Sequence, residues 1–175
     1  MGFSLVELMI TIAIVAILVA LAFPSFEDSL RNNRVTSTTN ELIASLSLAR
    51  MEALRNPGGA FICTSSDGAT CSGSGGSWND GWIVWIDANG DGNPGGANDR
   101  VLRYVEGKHR LDVSAASPGG ATFANRIRFD NRGRVDTHTR QIEVQPDTCP
   151  TGRQLVSEIN IALTGQARSS KKACT

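Results

Sequence analysis

The sequence predicts an α+β protein in which one long N-terminal helix packs on a C-terminal antiparallel β-sheet domain. Three observations carry this. Phe3 to Phe23 is an apolar run with a single ionisable residue, Glu7, inside it, and helical spacing continues beyond it as far as Pro57. After Gly59 the pattern changes to short runs bounded by Gly, Asn, Asp and Pro, the mark of antiparallel strands. No alternation of strands with helical stretches and no Gly-rich phosphate loop points to a parallel sheet or a nucleotide fold.

The apolar run comes first. Phe3 to Phe23 is 21 residues, and at about 1.5 Å per residue it spans about 31 Å, one hydrocarbon core. Nothing basic precedes it and no A-x-A site follows before Pro24, so it reads as a retained membrane helix rather than a cleaved secretory signal. Glu7 stands out, because a carboxylate deep in a bilayer costs roughly 2.5–3.5 kcal/mol on insertion scales. Beyond Pro24 the chain turns amphipathic. Val35, Leu42, Leu46, Ala49 and Ala53 form one stripe of a 3.6-residue period, and Pro57-Gly58-Gly59 ends it. The expectation is a helix of roughly 50 residues, kinked at Pro24 and at Asn32-Asn33.

The exported part follows. Candidate strands are AFICTS (60–65), GWIVWID (81–87), RVLRYVE (100–106), NRIRFD (125–130), GRVD (133–136), RQIEVQ (140–145) and LVSEINIALT (155–164). SGSGGSW (72–78) reads as a flexible loop. Trp78, Trp82 and Trp85 are expected to anchor the sheet on its helix. The four cysteines, an even number behind an apolar segment, favour an oxidising compartment and two disulfides. Proximity in sequence favours Cys63–Cys71 and Cys149–Cys174.

Charge and motifs exclude several classes. Lys+Arg and Asp+Glu are both 17, so there is no global case for nucleic-acid binding. The cysteines and the two histidines, His109 and His138, have no zinc-ligand spacing, and no nucleophile motif accompanies either histidine. The chain is therefore expected not to be an enzyme, and to need no cofactor except, in one reading, calcium. In DANGDGNPGGAND, Asp87, Asn89, Asp91 and Asn93 match the first half of a calcium loop, with Gly92 at its sharp turn. Its twelfth position is Asn98 rather than Glu, with Asp99 one step later, and a plain hairpin turn is the alternative. Two basic clusters exist: Arg126, Arg128, Arg132 and Arg134, and then Arg168, Lys171 and Lys172. Either is a solvated surface or a phosphate contact.

These features together resemble a known superfamily. GFSLVE, followed by about 20 apolar residues and a proline, is similar to the type III signal of type IV pilins and pseudopilins. The resemblance implies cleavage after Gly2 by a prepilin peptidase, N-methylation of Phe3, and pairing of Glu7 with the N-terminal amine of a neighbouring subunit. A buried carboxylate is tolerable when an opposite charge meets it. Residues 1–2 are then a residual leader, although leaders of this family carry basic residues and only Met1 precedes Gly2 here. Residues 3–23 are the transmembrane and filament-core helix, 24–56 its amphipathic continuation, and 57–175 a periplasmic β domain. The order of landmarks from ICTSSDGATC through WNDGW to IRFDNRGRV and ALTGQARSS resembles the GspH/FimT–FimU group of minor pilins and pseudopilins, and implies the pilin fold. It also implies a place in the inner membrane and in a pilus or pseudopilus. The implied partners are major and minor pilins, the prepilin peptidase and an inner-membrane assembly platform. The implied work is priming of type IV pilus assembly, in support of twitching motility, adhesion or DNA uptake. The alternatives are a type II secretion pseudopilin and a DNA-binding minor pilin for transformation. For the last, the family's G-R-x-R pattern reads Gly165-Gln166-Ala167-Arg168 here, so its first arginine is missing.

Overall fold

The computed structural model describes residues 4–73, 76–96, 98–116, 125–135 and 140–175. Helix α1 (Leu5–Ala53) is unbroken for 49 residues, through Pro24 and Asn32-Asn33 alike. It ends three residues before the expected limit, at a C-cap on Leu54. Gly59 follows in the left-handed region at φ +92°, where an added Cβ would lie 2.3 Å from the carbonyl oxygen of Phe129. Only glycine fits there. The chain then enters the sheets directly.

The described strands form two four-stranded antiparallel sheets rather than one. Strands β1 (Ala60–Thr64), β2 (Gly81–Ile86), β3 (Arg100–Glu106) and β5 (Arg126–Phe129) stand in the order β3-β2-β1-β5. Strands β4 (Leu111–Ala116), β6 (Arg140–Pro146), β7 (Val156–Ile161) and β8 (Ala167–Lys172) stand in the order β4-β6-β7-β8. Two of these were not expected. β4, LDVSAA, buries Leu111 and Val113 in alternation but ends in two small alanines, and β8, ARSSKK, is almost wholly polar and exposed. Pairing with β7, in the register Val156↔Lys172 to Ile161↔Ala167, makes β8 a strand. The expected strand GRVD reduces to one bridge, Phe129↔Val135, because residues 130–134 form a tight turn held by Asp130.

One core joins α1 to both sheets. Val35, Leu42, Leu46, Ala49 and Ala53 are all buried, as the stripe requires. They pack with Ile62, Trp82, Val84, Ile127 and Phe129 of the first sheet and with Ile142, Val144, Ile159 and Ile161 of the second. Each large side chain so buried contributes about 1.5–3 kcal/mol. Trp82 also carries a polar link: its Nε1–H donates to Ser45 Oγ at 3.0 Å, and that hydroxyl donates to Glu41 O at 2.8 Å. Lys108, in the β3–β4 turn, pairs with Glu41 of the helix at 2.6 Å.

β1 and β2 are buried on both faces, which explains why they read as unbroken apolar runs. Their outer face holds a second cluster of Phe61, Cys63, Ile83 and Trp85. Trp85 therefore does not anchor the sheet to the helix as Trp82 does. It stacks on Phe61 at 4.6 Å, on the opposite side, because side chains alternate along a strand. Arg126 and Arg128 reach over the same Phe61 ring at 5.3 and 5.4 Å.

Both disulfides pair as proximity favoured. Cys63–Cys71 clips the loop after β1, and Cys149–Cys174 joins the loop before β7 to the segment after β8.

Two outcomes follow from this packing. Ser45→Ala leaves the buried Trp82 N–H without an acceptor and should cost ~1–3 kcal/mol in a denaturant titration of the full chain; an unchanged midpoint would show the link to be dispensable. Opening Cys149–Cys174, whose sequence separation is 25, by paired Ser substitution should cost about 3–4 kcal/mol on the chain-entropy model, read as a lowered melting temperature.

Candidate functional site

Three regions carry the residues singled out by the sequence. The first is the N-terminal half of α1. From Leu5 to Val19 its large apolar side chains are 53–74% exposed around the whole helix. Among the described residues nothing covers them. Among the described residues no helix is long and apolar enough to cross a membrane; the described side chains of this half stop at residue 20, inside the Phe3–Phe23 run. Gly2 and Phe3 lie outside the described residues.

Glu7 is not without partners. Ser4 is the N-cap of α1, its Oγ accepting from the Glu7 N–H at 3.2 Å, while the Ser4 N–H donates to Glu7 Oε2 at 3.4 Å. This is a capping box, and the signal S-x-x-E ahead of an apolar run was legible in the sequence. A carboxylate in the first turn also meets the positive end of the helix dipole. The contacts are long and exposed, so Glu7 keeps acceptor capacity for a cation from another chain.

The second region is the turn between β2 and β3. It brings together the carboxylates of Asp87, Asp91 and Asp99, with one oxygen of each within 4.8 Å of the others. Asp99, one step past the twelfth position of the calcium pattern, joins its two acids, Asp87 and Asp91. Asn89 donates through Nδ2 to Asp91 Oδ2 at 2.8 Å, and the Asn93 backbone N–H donates to Asp91 Oδ1 at 2.7 Å. Buried Asp87 accepts from the Gly90 and Gly92 N–H groups at 2.7 and 3.0 Å. Asp99 accepts from Ala88 and Gly96 at 2.8 Å each. Backbone donors thus organise the loop by themselves. The oxygen-only donor set suits a hard cation such as calcium.

The third region comprises the two basic clusters. Arg126 and Arg128 are spent on structure: Arg126 donates to Gly92 O at 2.9 Å and Arg128 to Gly58 O at 3.1 Å. Arg134 pairs with Asp130 at 3.1 Å. Arg168, Lys171 and Lys172 all lie on β8, where strand alternation turns Lys171 away from the face that Arg168 and Lys172 share. Lys172 Nζ pairs with Glu143 at 2.5 Å and lies 3.8 Å from Glu158; the hydrogen bond to Glu143, and then its charge, raise the ammonium's pKa. Lys171 turns the other way and donates to Asn32 of α1 at 2.8 Å, where burial lowers its pKa. Arg168 donates to the Gln166 side chain at 3.3 Å. The three cations do not form one continuous face.

Of the histidines, His109 is exposed in the β3–β4 turn, and His138 lies outside the described residues. A further acid carries structure. Asp67, inside the Cys63–Cys71 loop, is held far below the usual carboxylate range by the Thr70 hydroxyl and by the Thr70 and Ala69 N–H groups.

Comparison with known proteins agrees with this architecture. The model of the prokaryotic N-terminal methylation motif matches residues 2–23. The model described as type II transport protein GspH matches residues 38–165. Two Moraxella bovis proteins, a type IV major alpha-pilin and fimbrial protein Q, are each 46% identical over 43 residues. That match covers 25% of this chain and 27% of either pilin. Among solved structures, the type IV minor pilin FimU of Pseudomonas aeruginosa is 18% identical, with a TM-score of 0.53 over 77% of this chain and 91% of that one. The minor pseudopilin EpsH of Vibrio cholerae is 13% identical, with a TM-score of 0.53 over 79% of this chain and 97% of that one. A long helix with an uncovered apolar half, a methylation motif at its start, and a β domain matched from helix to last turn belong together: the chain is a member of the GspH family, with the fold of minor pilins and pseudopilins.

Proposed function

We propose that this chain is a minor pilin that takes part in priming type IV pilus assembly, and that its work is structural rather than enzymatic. One observation carries the reading. The C-terminal half of α1 has its apolar stripe buried by its own β domain, whereas the N-terminal half exposes its apolar side chains on every side. Such a helix is stable only in lipid or among other apolar helices. The retained segment 3–23 waits in the inner membrane with the β domain in the periplasm, and then bundles with the helices of other pilins. The prepilin peptidase cuts after Gly2 and the new Phe3 amine is methylated; the assembly platform extracts the subunit.

Glu7 then selects the partner. In lipid its carboxylate has only the Ser4 box. Beside a neighbour's N-terminal amine it gains a charge-assisted hydrogen bond in a low-dielectric setting, where such pairing is strong. Glu7→Ala should insert in the membrane at the wild-type level yet enter filaments about tenfold less, measured by immunoblot of sheared filaments against membranes. Equal incorporation would sink the role of the charge.

A second reading, a pseudopilin of type II secretion, is favoured by the description of the matched family itself. Deletion separates the two. Loss of surface pili and twitching with intact exoprotein release is the expected outcome, and the reverse pattern assigns the chain to secretion. DNA uptake draws less support, since Lys172 is paired with two glutamates and Lys171 faces α1.

A further inference from the structure

We propose that the cleft between the base of α1 and the foot of the β domain binds the phosphodiester of an anionic membrane phospholipid. The inference rests on the reading of segment 3–23 as inserted in a bilayer.

The cleft has a volume of about 570 Å³ and is lined by Asp28 and Asn32 of α1 and by Arg153, Leu155 and Lys171 of the β domain. Its charges do not balance. Arg153 pairs with Asp28 at 2.9 Å, and Asp28 is shared with Arg31 at 3.4 Å. Lys171 donates instead to the neutral side chain of Asn32 at 2.8 Å, and among the described residues no carboxylate is paired with it. Partial burial pulls its pKa down, and no opposite charge offsets that cost. Arg153 and Lys171 against Asp28 leave a single positive charge on the lining, which one phosphodiester cancels.

The surroundings keep that sign. On α1, Glu27 and Asp28 both face Arg31, at 3.3 and 3.4 Å, and Arg34 is exposed one turn above. The Arg153 side chain is 60% exposed. Its fork of donors serves Asp28 on one side and leaves N–H groups for phosphate oxygens on the other. Lys171 supplies the second cation from across the cleft.

Height along the helix selects a lipid as the source of the phosphate. Asp28 lies five residues beyond Phe23, where the apolar run ends, and Asn32 lies nine beyond it. At about 1.5 Å per residue these stand about 7–8 and 13–14 Å above the hydrocarbon edge. The headgroup layer is about 5–7 Å deep on each side, and basic side chains reach down to it along their apolar stems. The helix also keeps apolar side chains exposed up to this level, Phe26 at 62% and Leu30 at 40%. Buried Leu155 adds an apolar wall to the cleft itself. A lipid already in the bilayer presents its phosphate at high effective concentration, so a weak site suffices. Such a site docks the foot of the β domain on the bilayer surface.

The test inserts the full chain in nanodiscs of phosphatidylglycerol and phosphatidylcholine in equal molar amounts, and counts the lipids retained on it by native mass spectrometry. Phosphatidylglycerol should be retained several-fold above its share of the bilayer. Lys171→Gln, which keeps a side-chain donor for Asn32, should lower that excess about fivefold, the usual weight of one basic residue at an anionic surface. Arg153→Gln should do the same. Arg55→Gln with Arg132→Gln removes two charges at the far end of α1 and should leave the excess unchanged. Retention at the bilayer ratio would overturn the inference, as would an equal loss in the far-end variant. Displacement of the lipid by millimolar inorganic phosphate would make free phosphate the ligand and overturn it too. If the chain inserts but retains no excess, only the cleft fails; if it does not insert, the reading of segment 3–23 fails with it.

Discussion

Burial of a single helical stripe organises the molecule. Val35, Leu42, Leu46, Ala49 and Ala53 meet both sheets, so neither sheet has a complete core without the helix. The helix in turn draws little stability from propensity in a segment rich in Ser, Thr and Asn (34–47); its second half is a helix because the sheets pack against it. The Trp82–Ser45 link and the Lys108–Glu41 pair fix the register of that packing. Only polar groups placed at single positions can do so, since apolar contacts alone tolerate sliding.

The same logic shows why the first half of α1 matters. A helix with no inward face has no stripe, and this one is apolar at nearly every position up to residue 20. Its order within the chain comes from continuity with the buried half and from the Ser4–Glu7 box that caps its start. The capping box changes the meaning of Glu7. The carboxylate is oriented at the end of the helix by the chain itself, through two long and exposed contacts to Ser4.

Much of this was legible in the sequence because it rests on periodicity. The buried stripe, the ends of β1 to β3, and the two disulfides follow from spacing, turn residues and proximity. What was not legible depended on neighbours. β8 has no apolar pattern and becomes a strand by pairing with β7; β4 likewise pairs with β6. GRVD has a strand-like composition, but Asp130 gathers the Arg132 and Arg134 N–H groups into a turn. Trp82 and Trp85 differ only in parity along β2, and parity cannot be assigned a face until the helix is placed. In the acidic loop, the calcium pattern pointed to alternate positions, whereas the chain folds back so that Asp99 joins Asp87 and Asp91. Ser4 with Glu7 is the opposite case, a local signal present in the sequence and passed over beside the apolar run.

The Cys149–Cys174 bridge has a mechanical consequence. A pull along α1 from its apolar half first reaches the β domain at Asp28–Arg153 and at Asn32–Lys171. Arg153 and Lys171 both lie within the segment that this disulfide closes. Tension therefore enters a covalent ring, and peeling of β8 from β7 cannot run past Cys174. The most polar and exposed strand of the domain, which by composition is the one to tear away first, is stitched at the point where traction arrives.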